Sequence, residues 1–141
     1  MTNPIVEFNT QIEDFFDFLI NVCPIDDQEC ENTKNDLVTY KGLLNAGIKM
    51  NKLTAIEKYI VHVLIHEEAI NSRNENFFLT IDYGKNIGGT EKSMLEAMKF
   101  KCIWHKLSQK RRDKIFDYLI VITYWARQYF DTKYGNNAET N

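Results

Sequence analysis

Two prolines and six glycines in 141 residues leave long runs of this chain without a helix breaker. Within those runs apolar residues return every three or four positions, the spacing that gathers them on one face of an α-helix. The sequence does not carry the short alternating runs and frequent turn signals of a β-sandwich. The chain is therefore expected to be all-α, an irregular bundle of about five helices.

The stripes place those helices. Asn3-Pro4 can begin a short first turn, with proline at the first helical position. The stronger start is Thr10-Gln11-Ile12-Glu13, a capping-box pattern, followed by Ile12, Phe15, Phe16, Leu19, Ile20 and Cys23. Pro24 ends the run, because the residue before a proline is biased away from helical angles. Asp26 or Asp27 caps a second helix, which carries Cys30, Leu37, Tyr40, Leu43 and Leu44 to near Gly47. Its acidic first turn suits the positive end of the helix dipole. Thr54-Ala55-Ile56-Glu57 is another capping box, opening a third helix to about Asn71 through Ile56, Tyr59, Ile60, Val63, Leu64 and Ala69. Residues 71–89 read as a long loop with at most one short turn, anchored by aromatic residues.

Thr90, after Gly88-Gly89, is a natural cap for a fourth helix bearing Met94, Leu95, Met98, Cys102, Ile103 and Leu107. Ser108 caps the last helix, which runs to Tyr129 or Phe130. Its apolar residues Ile115, Phe116, Leu119, Ile120, Ile122 and Trp125 spread over more than one side, the pattern of a helix in the middle of a bundle. The β-branched run Ile120-Val121-Ile122-Thr123 could instead form a strand, though the surrounding period favours a helix. The expected organisation is one helical domain over 1–134 and a polar tail over 135–141 with little to bury.

A chain of this length buries enough surface to need no disulfide or metal staple. Nine phenylalanines and seven tyrosines argue against disorder. The three cysteines, Cys23, Cys30 and Cys102, form no CxxC pair, which points to a reduced, intracellular and cytoplasmic setting. The first residues hold acids and no basic stretch, unlike a signal peptide. The most apolar run, Tyr118 to Ala126, is far short of the roughly 20 residues a membrane span requires.

The net charge of −3 hides a gradient. Residues 1–83 hold 14 acids and 6 bases, a net of −8, whereas residues 84–141 hold 6 acids and 11 bases, a net of +5. Either the two halves pack against each other, or the surface has two faces that dock unlike neighbours. Lys106, Lys110, Arg111, Arg112 and Lys114 form the dense basic cluster, at the start of the last helix. Cations there oppose the helix dipole, so an anion would help: a phosphate, a nucleic-acid backbone, or an acidic stretch such as Asp26 to Glu31 of this or another copy. With no groove-reading motif and an acidic chain, nucleic acid is the weaker alternative.

Candidate chemistry is sparse. His62 and His66 stand four apart, on one helix face beside Glu67, where they could hold a metal. The HExxH order is absent, and a third ligand would have to come from Glu67 or the distant His105. Glu13, Asp14 and Asp17 could do acid–base work or form a solvated helix face. Lys85-Asn86-Ile87-Gly88-Gly89-Thr90 leads into a helix start without phosphate-loop spacing. The cysteines have no base at a telling distance. No enzyme activity and no cofactor are expected.

Phe8-Asn9-Thr10-Gln11-Ile12-Glu13-Asp14-Phe15-Phe16, then Leu19, Pro24 and Asp26, precede Ile70-Asn71, Asn74-Glu75-Asn76-Phe77-Phe78-Leu79 and Asp82-Tyr83. This order resembles a group of small helical proteins of nucleocytoplasmic large DNA viruses, with an FN…F…L…P.D opening before a DExFFLxxDY-like segment. The resemblance covers residues 8–83; the second half matches only in being helical, and Asn74 stands where the pattern has an acid. It implies no catalytic residues. It implies a virion component, a minor capsid or cement protein beneath a capsid shell, whose partners are capsid proteins or copies of itself. Phe77, Phe78 and Tyr83 either anchor their loop to the helices or offer a partner an aromatic patch.

Overall fold

A computed structural model of the chain describes residues 2–80 and 98–135. These form helices α1 (Pro4–Val22), α2 (Gln28–Met50), α3 (Thr54–His62), α4 (Glu67–Asn71), α5 (Glu75–Thr80), α6 (Phe100–Ile103) and α7 (Gln109–Phe130). Single 3₁₀ turns at Leu64–His66 and Trp104–Lys106 link neighbours, and a π-helical turn at Asp131–Gly135 follows α7. The fold is all-α, and none of the described residues is in a strand, so residues 120–123 belong to α7. No described helix is long and apolar enough to cross a membrane.

The first helix begins earlier than its capping box suggests. The Asn3 side chain accepts from the Ile5 N–H at 2.9 Å, with Pro4 at the first position. Thr10 is an exposed interior residue of one continuous helix. Phe8, Ile12, Phe15, Phe16 and Leu19 form its buried stripe. In α2 the Asp27 side chain accepts from the Cys30 N–H at 2.8 Å. This helix runs through Gly47 to Met50 and buries a narrow line of Cys30, Thr33, Leu37 and Leu44. Leu43, expected in the stripe, is 67% exposed.

The expected third helix is broken. Leu53, not Thr54, precedes α3 and supplies no side-chain cap, so the second capping box does not form. Val63, at φ −120°, interrupts the helix, and the chain continues as the 3₁₀ turn and α4. The described part of the expected loop is the short helix α5, where the Asn74 side chain accepts from the Phe77 N–H at 3.2 Å. The remainder of that loop, the Gly88-Gly89-Thr90 cap and the tail residues 136–141 lie outside the described residues.

The expected fourth helix is interrupted too. Lys99 is left-handed at φ 61°, a conformation disfavoured outside glycine. The break turns the following face: Phe100, Ile103 and Trp104 are buried, and Cys102, expected inside, is exposed. Trp104 becomes a hub. Its ring meets Phe100 and Phe116 edge-on at 6.1 and 5.8 Å, and its indole N–H donates to Glu75 Oε1 at 3.0 Å. Buried aromatics paired in this way hold more than their area alone would give.

The last helix is one-sided rather than central. Ile115, Phe116, Leu119, Ile122, Thr123 and Ala126 face the core, while Val121 and Tyr124 are exposed. It lies antiparallel to α1: Phe8 stacks edge-on with Tyr59, which bonds Thr123, whereas Phe15 and Phe18 meet Tyr118. The C-terminal end of α1, the connection to α2 and the N-terminal end of α7 therefore share one end of the bundle.

Candidate functional site

That shared end gathers the charge. The entry to α2 brings Asp26 and the cap Asp27, its first turn brings Glu29 and Glu31, and the turn before α7 brings Lys106. Lys106 Nζ donates to Asp27 Oδ2 at 2.7 Å and lies 3.8 Å from Asp26 Oδ1. The Lys106 ammonium and the Cys30 N–H together hold the Asp27 carboxyl down to about 2, and Lys106 is correspondingly raised. The gradient in the sequence is thus partly satisfied within the chain, through the acidic stretch proposed as its partner.

Lys106 also reaches Cys30 Sγ at 3.0 Å. The ammonium favours the thiolate, but desolvation and the Asp27 and Asp26 carboxylates outweigh it, and the thiol is raised. Burial raises Cys23 as well. Asp26, Asp27 and Cys30 are the described residues whose metal-ligating atoms converge. The Lys106 ammonium already stands against all three groups, in the position of a counter-ion.

The other members of the basic cluster divide. Arg112 Nε donates to the Trp104 carbonyl at 2.9 Å, its guanidinium lies over the Trp104 ring at 5.9 Å, and Nη1 is 3.9 Å from Glu75 Oε1. It braces the core hub. Lys114 lies over the Tyr118 ring at 5.5 Å. Lys110 and Arg111 are exposed, and their side chains make no ion pair among the described residues. The same holds for the carboxylates of Glu29 and Glu31. Ile25, in the connection between α1 and α2, is 61% exposed beside them.

The histidine site is arranged differently from a metal centre. His66 packs its ring on Phe77 at 4.5 Å, and its Nε2 is buried without a hydrogen-bond partner among the described residues; burial lowers its basicity. The Glu67 carboxylate is taken by Arg127, whose Nη2 donates to Oε1 at 2.7 Å and whose Nε donates at 3.2 Å. His62, His66 and Glu67 do not bring their ligand atoms together as a three-group set. His105 is exposed in the separate turn Trp104–Lys106. Of the aromatic candidates, Phe77 is half-buried against the core and against His66, which is anchoring. The Phe78 side chain and Tyr83 lie outside the described residues.

Sequence reasoning missed Trp104 and the ion pairs Arg127–Glu67 and Lys133–Glu57. Each joins residues some sixty or more positions apart, and spacing along one helix carries no signal for such pairs.

Fold and surface together define an all-α bundle with a mixed-charge end. The chain is 31% identical over 124 residues to an uncharacterized protein of Acanthamoeba polyphaga mimivirus, covering 86% of this chain and 67% of the relative. It belongs to the family of that large-DNA-virus protein. No family model and no solved structure matches it.

Proposed function

We propose that this chain is a non-enzymatic assembly protein of a large DNA virus, a minor capsid component of the cement type that docks its neighbours through charged surfaces. The observation that carries this reading is the state of Lys110 and Arg111. Three of the charged groups singled out for chemistry are engaged inside the fold: Arg112 with Trp104, Glu67 with Arg127, Lys106 with Asp27. Lys110 and Arg111 project into solvent from the first turn of α7, where cations oppose the helix dipole. An anionic neighbour would offset that cost. The mimivirus relative and the motif order over residues 8–83 support a viral setting.

The test is incorporation into particles. The Lys110→Glu/Arg111→Glu variant should fold and be depleted from purified virions. Wild-type incorporation would remove this surface as the docking element. Salt-dependent retention of the wild-type chain on DNA, lost in the same variant, would favour instead an adaptor that binds nucleic acid through residues 106–114.

A further inference from the structure

We infer that the mixed-charge end of the bundle is a self-complementary surface on which a second copy of this chain docks about a two-fold axis. This deepens the assembly reading, on which it rests, by naming the partner.

The argument is one of sign and place. The antiparallel packing of α1 on α7 puts the first turn of α2 and the first turn of α7 at the same end. The Lys106–Asp27 bond, at 2.7 Å, fastens those two turns side by side. Glu29 and Glu31 follow that bond in the first turn of α2, and Lys110 and Arg111 follow it in the first turn of α7, all exposed and all without an ion-pair partner among the described residues. Ile25, 61% exposed, offers an apolar group at the same end.

A partner of one sign fits such a surface badly. A nucleic-acid backbone drawn to Lys110 and Arg111 meets Asp26, Glu29 and Glu31 within the same patch, and like charges in contact are costly. A second copy turned through a two-fold presents the opposite order of charges: its Glu29 and Glu31 meet Lys110 and Arg111, and the reverse. In an isologous interface every such contact occurs twice. Exposed ion pairs are individually weak and screened by salt, so the association is expected to be modest, reversible and strongly dependent on ionic strength. The two copies of Ile25 supply apolar burial within that charged end.

Sedimentation equilibrium of the purified full chain tests this directly. Wild type should form dimers at low salt and dissociate as salt rises. The Lys110→Glu/Arg111→Glu variant should self-associate at least about ten-fold more weakly, because attractions become repulsions in both halves of the interface. The Glu29→Lys/Glu31→Lys variant should weaken equally. Mixing the two variants should restore a one-to-one complex, since each then carries the charge that the other lacks. Circular dichroism checks that the variants fold, and the neutral Lys110→Gln/Arg111→Gln pair serves if a reversed one does not.

A wild-type chain that stays monomeric at low salt overturns the inference, as does a mixture that fails to associate. Dimerisation unaffected by either reversal overturns it as well. Particle incorporation is scored separately: a salt-sensitive dimer absent from virions sustains the self-docking surface and overturns the capsid reading.

Discussion

Lys106 Nζ donates to Asp27 Oδ2 at 2.7 Å across 79 residues of sequence, and this bond joins the acidic first half of the chain to its basic second half. It also joins the start of α2 to the turn that leads into α7. A charge gradient that looks like two separable surfaces in the sequence is, in the fold, a seam with unpaired charge on either side.

The seam should be acid-sensitive. The Asp27 carboxyl sits at about 2 in the fold against an ordinary 3.8. A depressed carboxyl contributes stability above its unfolded value and loses it as pH falls through the folded one. The contribution is therefore present above about pH 4 and gone below about pH 2. Lys106 is raised, so on the alkaline side its contribution fades only above the ordinary lysine value. A Lys106→Met variant should be slightly less stable than wild type at pH 7, as expected of a half-exposed pair. Urea midpoints of the two proteins should converge between about pH 4 and 2. A gap that persists in strong acid would mean that Lys106 acts through packing instead.

The cysteines should differ sharply in reactivity. Cys23 and Cys30 are 5% and 2% exposed and their thiols are raised, while Cys102 is exposed. A disulfide reagent acts on thiolate that it can reach. One thiol of three should react quickly in the native protein, and all three after unfolding. Peptide mapping should place the fast label on Cys102; a fast label on Cys30 would mean that the Lys106 contact activates rather than merely neighbours it.

Within the basic cluster, stability and docking should separate. Arg112→Ala removes a charged hydrogen bond to the Trp104 carbonyl, which keeps its bond from the Leu107 N–H, and a ring contact. It should cost about 1–3 kcal/mol. The Lys110 and Arg111 side chains are exposed and make no ion pair among the described residues, so Lys110→Ala and Arg111→Ala should stay within about 0.5 kcal/mol of wild type. Thermal or urea unfolding of the single variants measures both.

The helical class was legible from the breaker-free stripes, and so were the two caps whose side chains lie beside an uninterrupted run, Asp27 and Ser108. The errors share a cause. Thr10 satisfies a local capping pattern, but Asn3-Pro4 satisfies another one about two turns earlier, and Phe8 is buried only if the helix already exists there. Lys99 has no glycine to announce its left-handed backbone, so periodicity carried the stripe through it and put Cys102 inside in place of Trp104. Leu43 obeys the period of α2, yet nothing among the described residues covers it. For the candidate site, the basic cluster and its acidic complement were legible as charge. Which of its members the core would claim was not, because Arg112 is engaged by the carbonyl of a tryptophan eight positions earlier, across the turn that separates the two helices.

His66 should give the fold a second, gentler pH dependence. Burial lowers its basicity below the ordinary 6.5, and Phe77 lies against its ring. The unfolded chain then takes up a proton that the folded chain resists, so stability is full above about 6.5 and declines as pH falls from there toward the folded value. The other charged groups of this region are engaged elsewhere, Glu67 paired with Arg127 and Glu75 bonded to Trp104. A His66→Leu variant should show a flatter profile between about pH 6.5 and 5. An unchanged slope in that window would assign it to another group.

Tyr59 and Thr123 test the core from its polar side. Their hydroxyls meet at 2.8 Å, fully buried, and burial pushes the Tyr59 phenol far up. The two halves of the bond are not equivalent. Thr123 lies within α7, where a threonine hydroxyl can turn back to the carbonyl four residues earlier. Tyr59 has no such local acceptor at the end of its ring. Tyr59→Phe should therefore cost about 1 kcal/mol, and Thr123→Val, which strands the phenol, about 1–3 kcal/mol. The double variant should cost less than the sum, by a coupling of about 1 kcal/mol. Chemical denaturation of the four proteins closes the cycle. Strict additivity would mean that the hydroxyl contact contributes nothing to holding α3 on α7.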